Sequence, residues 1–148
     1  MNGCMKLALD EARAAADREE VPVGAVIVDK DGNVLARAGN RTEELGDPTA
    51  HAEMLAIRHA AAMKRSARLK DCDIYVTLEP CPMCATAISF ARIRKVVFGA
   101  YDPKGGAIEH GPRLYTLPTC HHKPEVIGGV EETACATLLK EFFEERRD

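Results

Sequence analysis

Tryptophan is missing from all 148 residues, and aromatic side chains make up only 5% of them, three Tyr and four Phe. Any stacking of a flat ring on this protein therefore falls to a handful of positions. Long apolar runs are missing too. None approaches the ~20 residues that a membrane-spanning helix needs, so a membrane partner is not expected. Net charge is slight, −3 from 20 basic and 23 acidic side chains. A bulk nucleic-acid binder is usually basic overall, so this balance argues against one. Low net charge with 46% hydrophobic residues excludes disorder as the main state. Collagen-like and coiled-coil classes fail on composition, and there is no internal repeat, low-complexity tract or linker. The segment Met1 to Lys6 runs into Asp10 and Glu11 within a helical spacing. That is not a signal-peptide pattern, so the expected location is the cytoplasm.

What is present has the proportions of one globular domain over residues 1–148. A chain of this length buries about 68–70% of its unfolded surface and builds a core unaided. Six cysteines (Cys4, Cys72, Cys81, Cys84, Cys120, Cys135) are even in number but irregular in spacing. In a reducing compartment they read as metal ligands, catalytic groups or small packing residues rather than disulfides. Cys4, Cys72 and Cys135 are assigned to packing.

Apolar residues at Met5, Ala8, Leu9, Ala12 and Ala16 predict an amphipathic helix. Val23 to Val28 and Val34 to Ala38 predict a hairpin around Asp31-Gly32-Asn33. Residues Gly39 to Asp47 read as a polar loop. A second helix is expected from His51 to about Arg65, with Thr49 as its cap. Ile74 to Leu78 has the continuous apolar look of a strand buried on both faces. Pro82 opens a third helix, which runs to about Arg92, and Val96 to Gly99 is a further strand. Asp102 to Lys123 reads as a long irregular segment, a type often functional. Val126-Ile127 is an edge strand, and a last helix from about Glu131 to Arg146 buries Ala134, Leu138, Leu139 and Phe142. On that helix Glu141, Glu144, Glu145, Arg146 and Arg147 read as solvated. Strands alternating with helices predict an α/β fold, three layers α/β/α, with a mixed sheet of about five strands.

Two short clusters carry the chemistry, each at an expected helix start: His51-Ala52-Glu53 and Pro80-Cys81-Pro82-Met83-Cys84. Cys81 and Cys84 are three residues apart, so one helical turn puts both sulfurs on one side. The positive end of a helix dipole favours thiolate over thiol. Two thiolates and one imidazole suit zinc and cancel its charge. Three protein ligands with one open position is the catalytic form of such a site. Zinc held there would bring the pKa of a bound water toward ~7. On a regular helix Glu53 points about 200° away from His51, so both serve one site only at the start of the helix. A carboxylate beside the metal that is not needed as a ligand reads as the general acid and base.

The pattern His-x-Glu followed by Pro-Cys-x-x-Cys resembles the signature of the cytidine and deoxycytidylate deaminase superfamily. Further blocks are similar to the bacterial tRNA-specific adenosine deaminases: Val21 to Val26, Asn40-Arg41, Asp47 to Glu53, Leu78 to Cys84, Arg92-Ile93, Val96 to Gly99, and Phe142-Phe143 with Arg146-Arg147. The resemblance implies a cytidine-deaminase-like fold holding one Zn²⁺ per subunit on His51, Cys81 and Cys84, with Glu53 as the proton carrier. It implies hydrolysis of adenosine to inosine at the wobble position of a tRNA anticodon loop, with ammonia released. Asn40, the backbone of Ala52, and Asp102 near the nucleotide entrance would contact substrate. A homodimer is implied, with the anticodon stem-loop resting on both subunits. Two stretches depart from the common pattern: Ile108-Glu109-His110, where many members read Ala-Gly-Ser, and His121-His122-Lys123, where many read Asn-His-Arg.

Other readings of the same residues stay open. A deaminase of a free nucleobase or nucleoside, such as guanine or cytosine, would use the same zinc and the same glutamate. A non-enzymatic zinc-stabilised RNA-binding module would close the metal with Cys120, His121 or His122. Asn40 alone reads equally as a turn residue after Gly39. Glu79, before Pro80, reads as support for the ligand turn. Basic clusters at Lys64, Arg65, Arg68 and Lys70, at Arg92, Arg94 and Lys95, and at Arg146-Arg147 read as solvated faces from which phosphate contacts would be drawn. One member of Phe142-Phe143 is expected to be exposed for stacking.

Overall fold

Met5, Ala8, Leu9 and Ala12 recur at three- and four-residue spacing, and all four are buried on helix α1 (Asn2–Asp17). Ala15 rather than Ala16 completes that face. The structure is a computed structural model and describes residues 2–146. The α1 face lies on strand β1 (Gly24–Val28), which pairs antiparallel with β2 (Val34–Gly39). The turn between them is organised by Asp29, whose Oδ1 accepts the N–H groups of Asp31 and Asn33 at 2.9 Å each. Gly32 supplies the left-handed residue of that turn, with φ +85°.

Three further strands complete a five-stranded sheet of order β2-β1-β3-β4-β5, the mixed sheet expected. Strand β3 (Asp73–Leu78) pairs antiparallel with β1 and parallel with β4 (Lys95–Ala100). Strand β5 (Glu125–Ile127) adds parallel to β4 at the edge. Alternate strand residues feed two cores. Ile27, Ile74, Val76, Val96 and Phe98 meet Ala52, Ala56 and Ala60 of α3 (Ala52–Lys64) and Ala85 and Ile88 of α4 (Pro82–Phe90). Val26, Val28, Tyr75 and Val97 meet Met5, Ala8 and Leu9 of α1 and Cys135 of α5 (Glu132–Glu145). The sheet thus carries helices on both faces, as the three-layer reading requires. Of the packing cysteines, Cys72 and Cys135 are buried and Cys4 is half-buried.

Contact between α1 and β1 is close. A Cβ added at Gly24 would collide with the carbonyl oxygen of Ala8 and stand 2.7 Å from the amide nitrogen of Ala12. Both are helix backbone and cannot rotate away. We expect Gly24→Ala to cost about 1–3 kcal/mol, read as a melting temperature lower by about 2–4 °C per kcal/mol. An unchanged melt would show that α1 slides freely over the sheet.

Several boundaries differ from the sequence reading. The polar stretch 39–47 contains a short helix, α2 (Thr42–Leu45), which no apolar periodicity announces because none of its residues is buried. Helix α4 ends at Phe90 rather than Arg92, since Arg92 turns left-handed with φ +61°. The irregular segment 102–123 holds a 3₁₀ turn, Leu114–Thr116, where the Tyr115 hydroxyl donates to the Ala85 carbonyl at 2.8 Å. On α5, Cys135 and Phe142 are buried while Ala134, Leu138 and Leu139 are half-buried. Glu141, Glu144 and Glu145 are exposed, and the Arg146 guanidinium covers the Phe142 ring and pairs with Glu19. The expected solvation of Arg147 lies outside the described residues.

Candidate metal centre and active site

Helices α3 and α4 both start at one end of the sheet, and each start presents a ligand-type side chain. His51 is the N-cap of α3 with extended backbone, φ −73° and ψ 153°. Cys81 is the N-cap of α4 with φ −72° and ψ 173°, followed by Pro82 in the first turn. Neither side chain caps its own helix, so ring and thiol are left for other work. This corrects the expectation that Thr49 caps the second helix. Its hydroxyl instead donates to Asp47 Oδ1 at 2.7 Å, and its carbonyl accepts the His51 N–H at 2.8 Å. The Asp47-Pro48-Thr49 turn thereby delivers His51 to the helix start, the placement that lets His51 and Glu53 serve one site.

The donor atoms converge across 30 residues of sequence. His51 Nδ1 lies 3.6 Å from Cys81 Sγ and 3.5 Å from Cys84 Sγ. Nitrogen and sulfur on a tetrahedral zinc, with bonds of about 2.05 and 2.3 Å, stand about 3.6 Å apart. The residues present therefore fit zinc in donor type and in spacing. Among the described residues only these three form a metal-ligand cluster, with donor atoms within 4.8 Å of one another. The closed site completed by Cys120, His121 or His122 is thus not what the fold builds. Cys120 Sγ sits 3.4 Å from Ser89 Oγ, and His122 Nε2 lies 2.7 Å from the Ile93 carbonyl, both structural contacts.

Electrostatics at the site follow from burial and from the shared protons of three close groups. A hydrogen bond from Cys84, with His51 adding to it, lowers the Cys81 thiol to about 4. Cys84 is raised, first by that same bond and then by burial. Its bond to Cys81 raises His51. Burial pushes Glu53, 4% exposed, up to about 7. A carboxyl in that range both takes and gives protons at neutral pH.

These groups open onto a cavity of about 280 Å³. Asn40, His51, Glu53, Cys81 and Asp102 all line it, so five of the seven site residues named from the sequence share one pocket. Cys84 and Ala52 lie behind it, both fully buried. Asn40 Oδ1 accepts the Ala52 N–H at 2.8 Å. Ala52 thus holds Asn40 in place with its amide. Asp102 Oδ1 accepts the N–H groups of Lys104 and Gly105, at 3.2 and 3.0 Å.

Two buried carboxylates brace the pocket, Glu79 from within its lining and Glu20 from behind Thr42. Glu20 accepts the N–H groups of Glu43 and Glu44 and the Thr42 hydroxyl, which anchors α2 beside Asn40. Glu79 supports a different element from the one expected. Its carboxylate binds the 102–110 segment, and burial, which raises it, is outweighed by bonds from Asp102, His110, Glu109 and Ile108 that hold it below its ordinary value. Glu19-Glu20 before Val-Pro-Val and a single Glu79 before Pro-Cys give no signal of this, because most of the partners are backbone N–H groups. Among the basic clusters, Arg94 and Lys95 turn onto Asp73. Arg92 lines a second cavity of about 220 Å³ with Phe90, Tyr115, Cys120 and His121. Phe143 is the exposed member of its pair, but Phe90, 76% exposed, is the more prominent aromatic.

A family model for the cytidine and deoxycytidylate deaminase zinc-binding region matches residues 2–100. The chain belongs to the cytidine and deoxycytidylate deaminase family. This deaminase is 58% identical over 143 residues to the tRNA-specific adenosine deaminase of Agrobacterium fabrum, covering 97% of this chain and 93% of that protein. It is 46% identical to the tRNA-specific adenosine deaminase of Bacillus subtilis, covering 97% and 88%. A solved structure from work on A-to-I editing by tRNA A34 deaminases at the wobble position overlays with a TM-score of 0.92 at 57% identity, covering 94% of this chain and all of that one. The deaminase fold expected from the sequence is the fold observed, and the metal of this family's site is zinc.

Proposed function

We propose that this deaminase hydrolyses adenosine to inosine at the wobble position of a tRNA anticodon loop, consuming water and releasing ammonia. The observation that carries the reading is the meeting of His51, Cys81 and Cys84 with the buried Glu53 on one pocket, in a chain whose full-length relatives are tRNA-specific adenosine deaminases. His51, Cys81 and Cys84 hold one Zn²⁺ per subunit, which supplies Lewis-acid activation of water when bound.

The chain's own groups do the rest. Glu53 takes a proton from the attacking water and delivers it to ring nitrogen N1 of the adenine. It then carries the second proton to the leaving amine at C6. Asn40 offers its amide nitrogen to the base, held at the right angle by its bond to Ala52. Asp102 borders the entrance used by the nucleotide. The RNA is a single-stranded loop read by shape and pocket contacts, which a weakly acidic chain can bind. Arg92 and His121, beside the exposed Phe90, support a phosphate-facing edge outside the pocket.

Two copies associate, and the location is cytoplasmic. No helix among the described residues is long and apolar enough to cross a membrane. Phe90 on the surface supports an apolar contact between copies. Phe90→Arg is expected to convert a sedimenting dimer into a monomer, and a wild-type monomer would refute the pairing.

Ammonia release tests the reaction. The zinc-loaded protein is offered an anticodon stem-loop with adenosine at position 34 and, separately, free guanine, cytosine, adenosine and cytidine. Release from the stem-loop alone is the expected result. Release from a free base alone would replace the RNA reading by the nucleobase one, with the zinc chemistry intact.

A further inference from the structure

The segment 102–110 forms one wall of the pocket through Asp102 and Gly105, yet it lies between strand β4 and the 3₁₀ turn with no regular structure of its own. A loop of this kind loses conformational entropy when it is fixed, so something must hold it. Its apolar contribution to the core is confined to Ala107 and Ile108. Hydrogen bonds do the remaining work, and they converge on one side chain.

Glu79 is 2% exposed. Its Oε1 accepts the Asp102 N–H at 3.0 Å and faces His110 Nδ1 at 2.8 Å. Its Oε2 accepts the N–H groups of Ile108, Glu109 and His110 at 3.1, 2.9 and 3.2 Å. Five donors thus meet one carboxylate. They come from both ends of the loop, so the carboxylate closes it like a clasp. Gly106 has to be glycine here, because a Cβ would collide with the Glu79 carboxyl carbon. One backbone bond ties the same loop to its surroundings, from Ala107 N–H to Pro80 O at 2.9 Å, and one closes a turn within it, from Gly106 N–H to Asp102 O at 2.8 Å. His110 is further steadied edge-on by Tyr101, with ring centroids 6.2 Å apart.

A buried carboxylate with this many partners is costly to build and costly to disturb, since the buried Ile108 N–H would be left without an acceptor and the part-buried donors would lose theirs. Glu79 is absent from the metal-ligand cluster, and no step of the reaction calls on it. Its consequence is geometric: it decides where Asp102 and Gly105 stand at the mouth of the pocket.

We propose that Glu79, locked in place by His110, is a positioning residue that fixes the 102–110 loop as a wall of the substrate pocket and so sets how tightly the RNA is bound, not how fast bound adenosine reacts. The inference rests on the function proposed above for the identity of the substrate, but the clasp itself is a property of the free protein. His110 supplies the side-chain half of the clasp, and the backbone N–H groups of 102 and 108–110 supply the rest.

Two readouts test it on the zinc-loaded protein. In amide hydrogen exchange without RNA, Glu79→Gln is expected to speed exchange at 102 and 108–110 by tenfold or more, with the amides of β3 unchanged. In steady-state deamination of the stem-loop, the same variant is expected to raise KM at least tenfold, with kcat within twofold of wild type and one zinc per chain retained. His110→Ala removes only the side-chain bond and should raise KM about threefold while speeding exchange at the same amides. Unchanged exchange in both variants overturns the clasp. Faster exchange with KM unchanged, or a fall in kcat matched by lost zinc, overturns the positioning role. If Glu79→Gln does not fold, His110→Ala decides alone by the same two readouts. A wild-type protein inactive on the stem-loop refutes the function proposed above, whereas the exchange experiment still judges the clasp.

Discussion

Glu53→Gln should keep its zinc and lose its turnover. The amide has nearly the shape of the carboxyl and sits in the same buried place, 4% exposed in the wild type. What it lacks is the capacity to accept a proton and give it back. Positioned acid–base groups are worth about 10²–10⁴ in rate, or about 3–5 kcal/mol of barrier. On the proposed mechanism one side chain serves both transfers, to N1 and to the leaving amine, so the expected fall in kcat lies at the upper end of that range. The measurement is ammonia release from the stem-loop under saturating substrate, with zinc content determined on the same sample. Turnover within tenfold of wild type would remove Glu53 from the proton path. Loss of zinc along with turnover would point to a metal ligand instead of a proton carrier.

Cys84→Ala is expected to be more damaging still, because it strikes the metal and the fold together. Cys84 is fully buried on the first turn of α4, with Sγ 3.5 Å from His51 Nδ1. Removing one of three donors leaves a site that two residues cannot hold. In small zinc domains the metal contributes about 10–16 kcal/mol of apparent binding free energy, which is also folding free energy. Only a part of that is at stake in a domain with two cores of its own. We expect zinc to fall from one per chain to near zero, activity to vanish, and the melting temperature to drop by about 10 °C or more, equivalent to several kcal/mol. Chelating zinc from the wild type should lower its melting temperature by a comparable amount. Full zinc content in the variant would overturn the assignment of Cys84 as a ligand.

Much of the site was legible because its chemistry is local. His51 with Glu53, and Cys81 with Cys84, are each separated by two or three residues, and the requirement that they serve one metal dictates helix starts at both places. Strands were legible where burial is continuous, as along Ile74 to Leu78, and the hairpin where Asp31-Gly32-Asn33 forces a turn. The helix α2 was not, because its four residues bury nothing and its start is held by Glu20 from a segment some 22–24 residues earlier. Thr49 does not cap α3, for a related reason. An N-cap is defined by backbone angles, and the Asp47 side chain draws the Thr49 hydroxyl away.

The deaminase family was read from the resemblance of His-x-Glu with Pro-Cys-x-x-Cys and its flanking blocks to a known signature, whereas residue chemistry and spacing by themselves pointed to a donor set suited to zinc, a carboxylate beside it and the α/β layering. Each of these depends on side-chain type or on periodicity within a few residues, and those are written directly in the chain. Tertiary structure alone decided that His51 meets the two thiols across 30 positions, that Asn40 is held by Ala52, and that Phe90 lies more open to solvent than Phe143. It alone turned Glu79 away from the ligand turn and onto the 102–110 loop. The partners of that carboxylate are backbone N–H groups, which every residue but proline carries. A sequence cannot mark which of them will be the donors until the fold has brought them near.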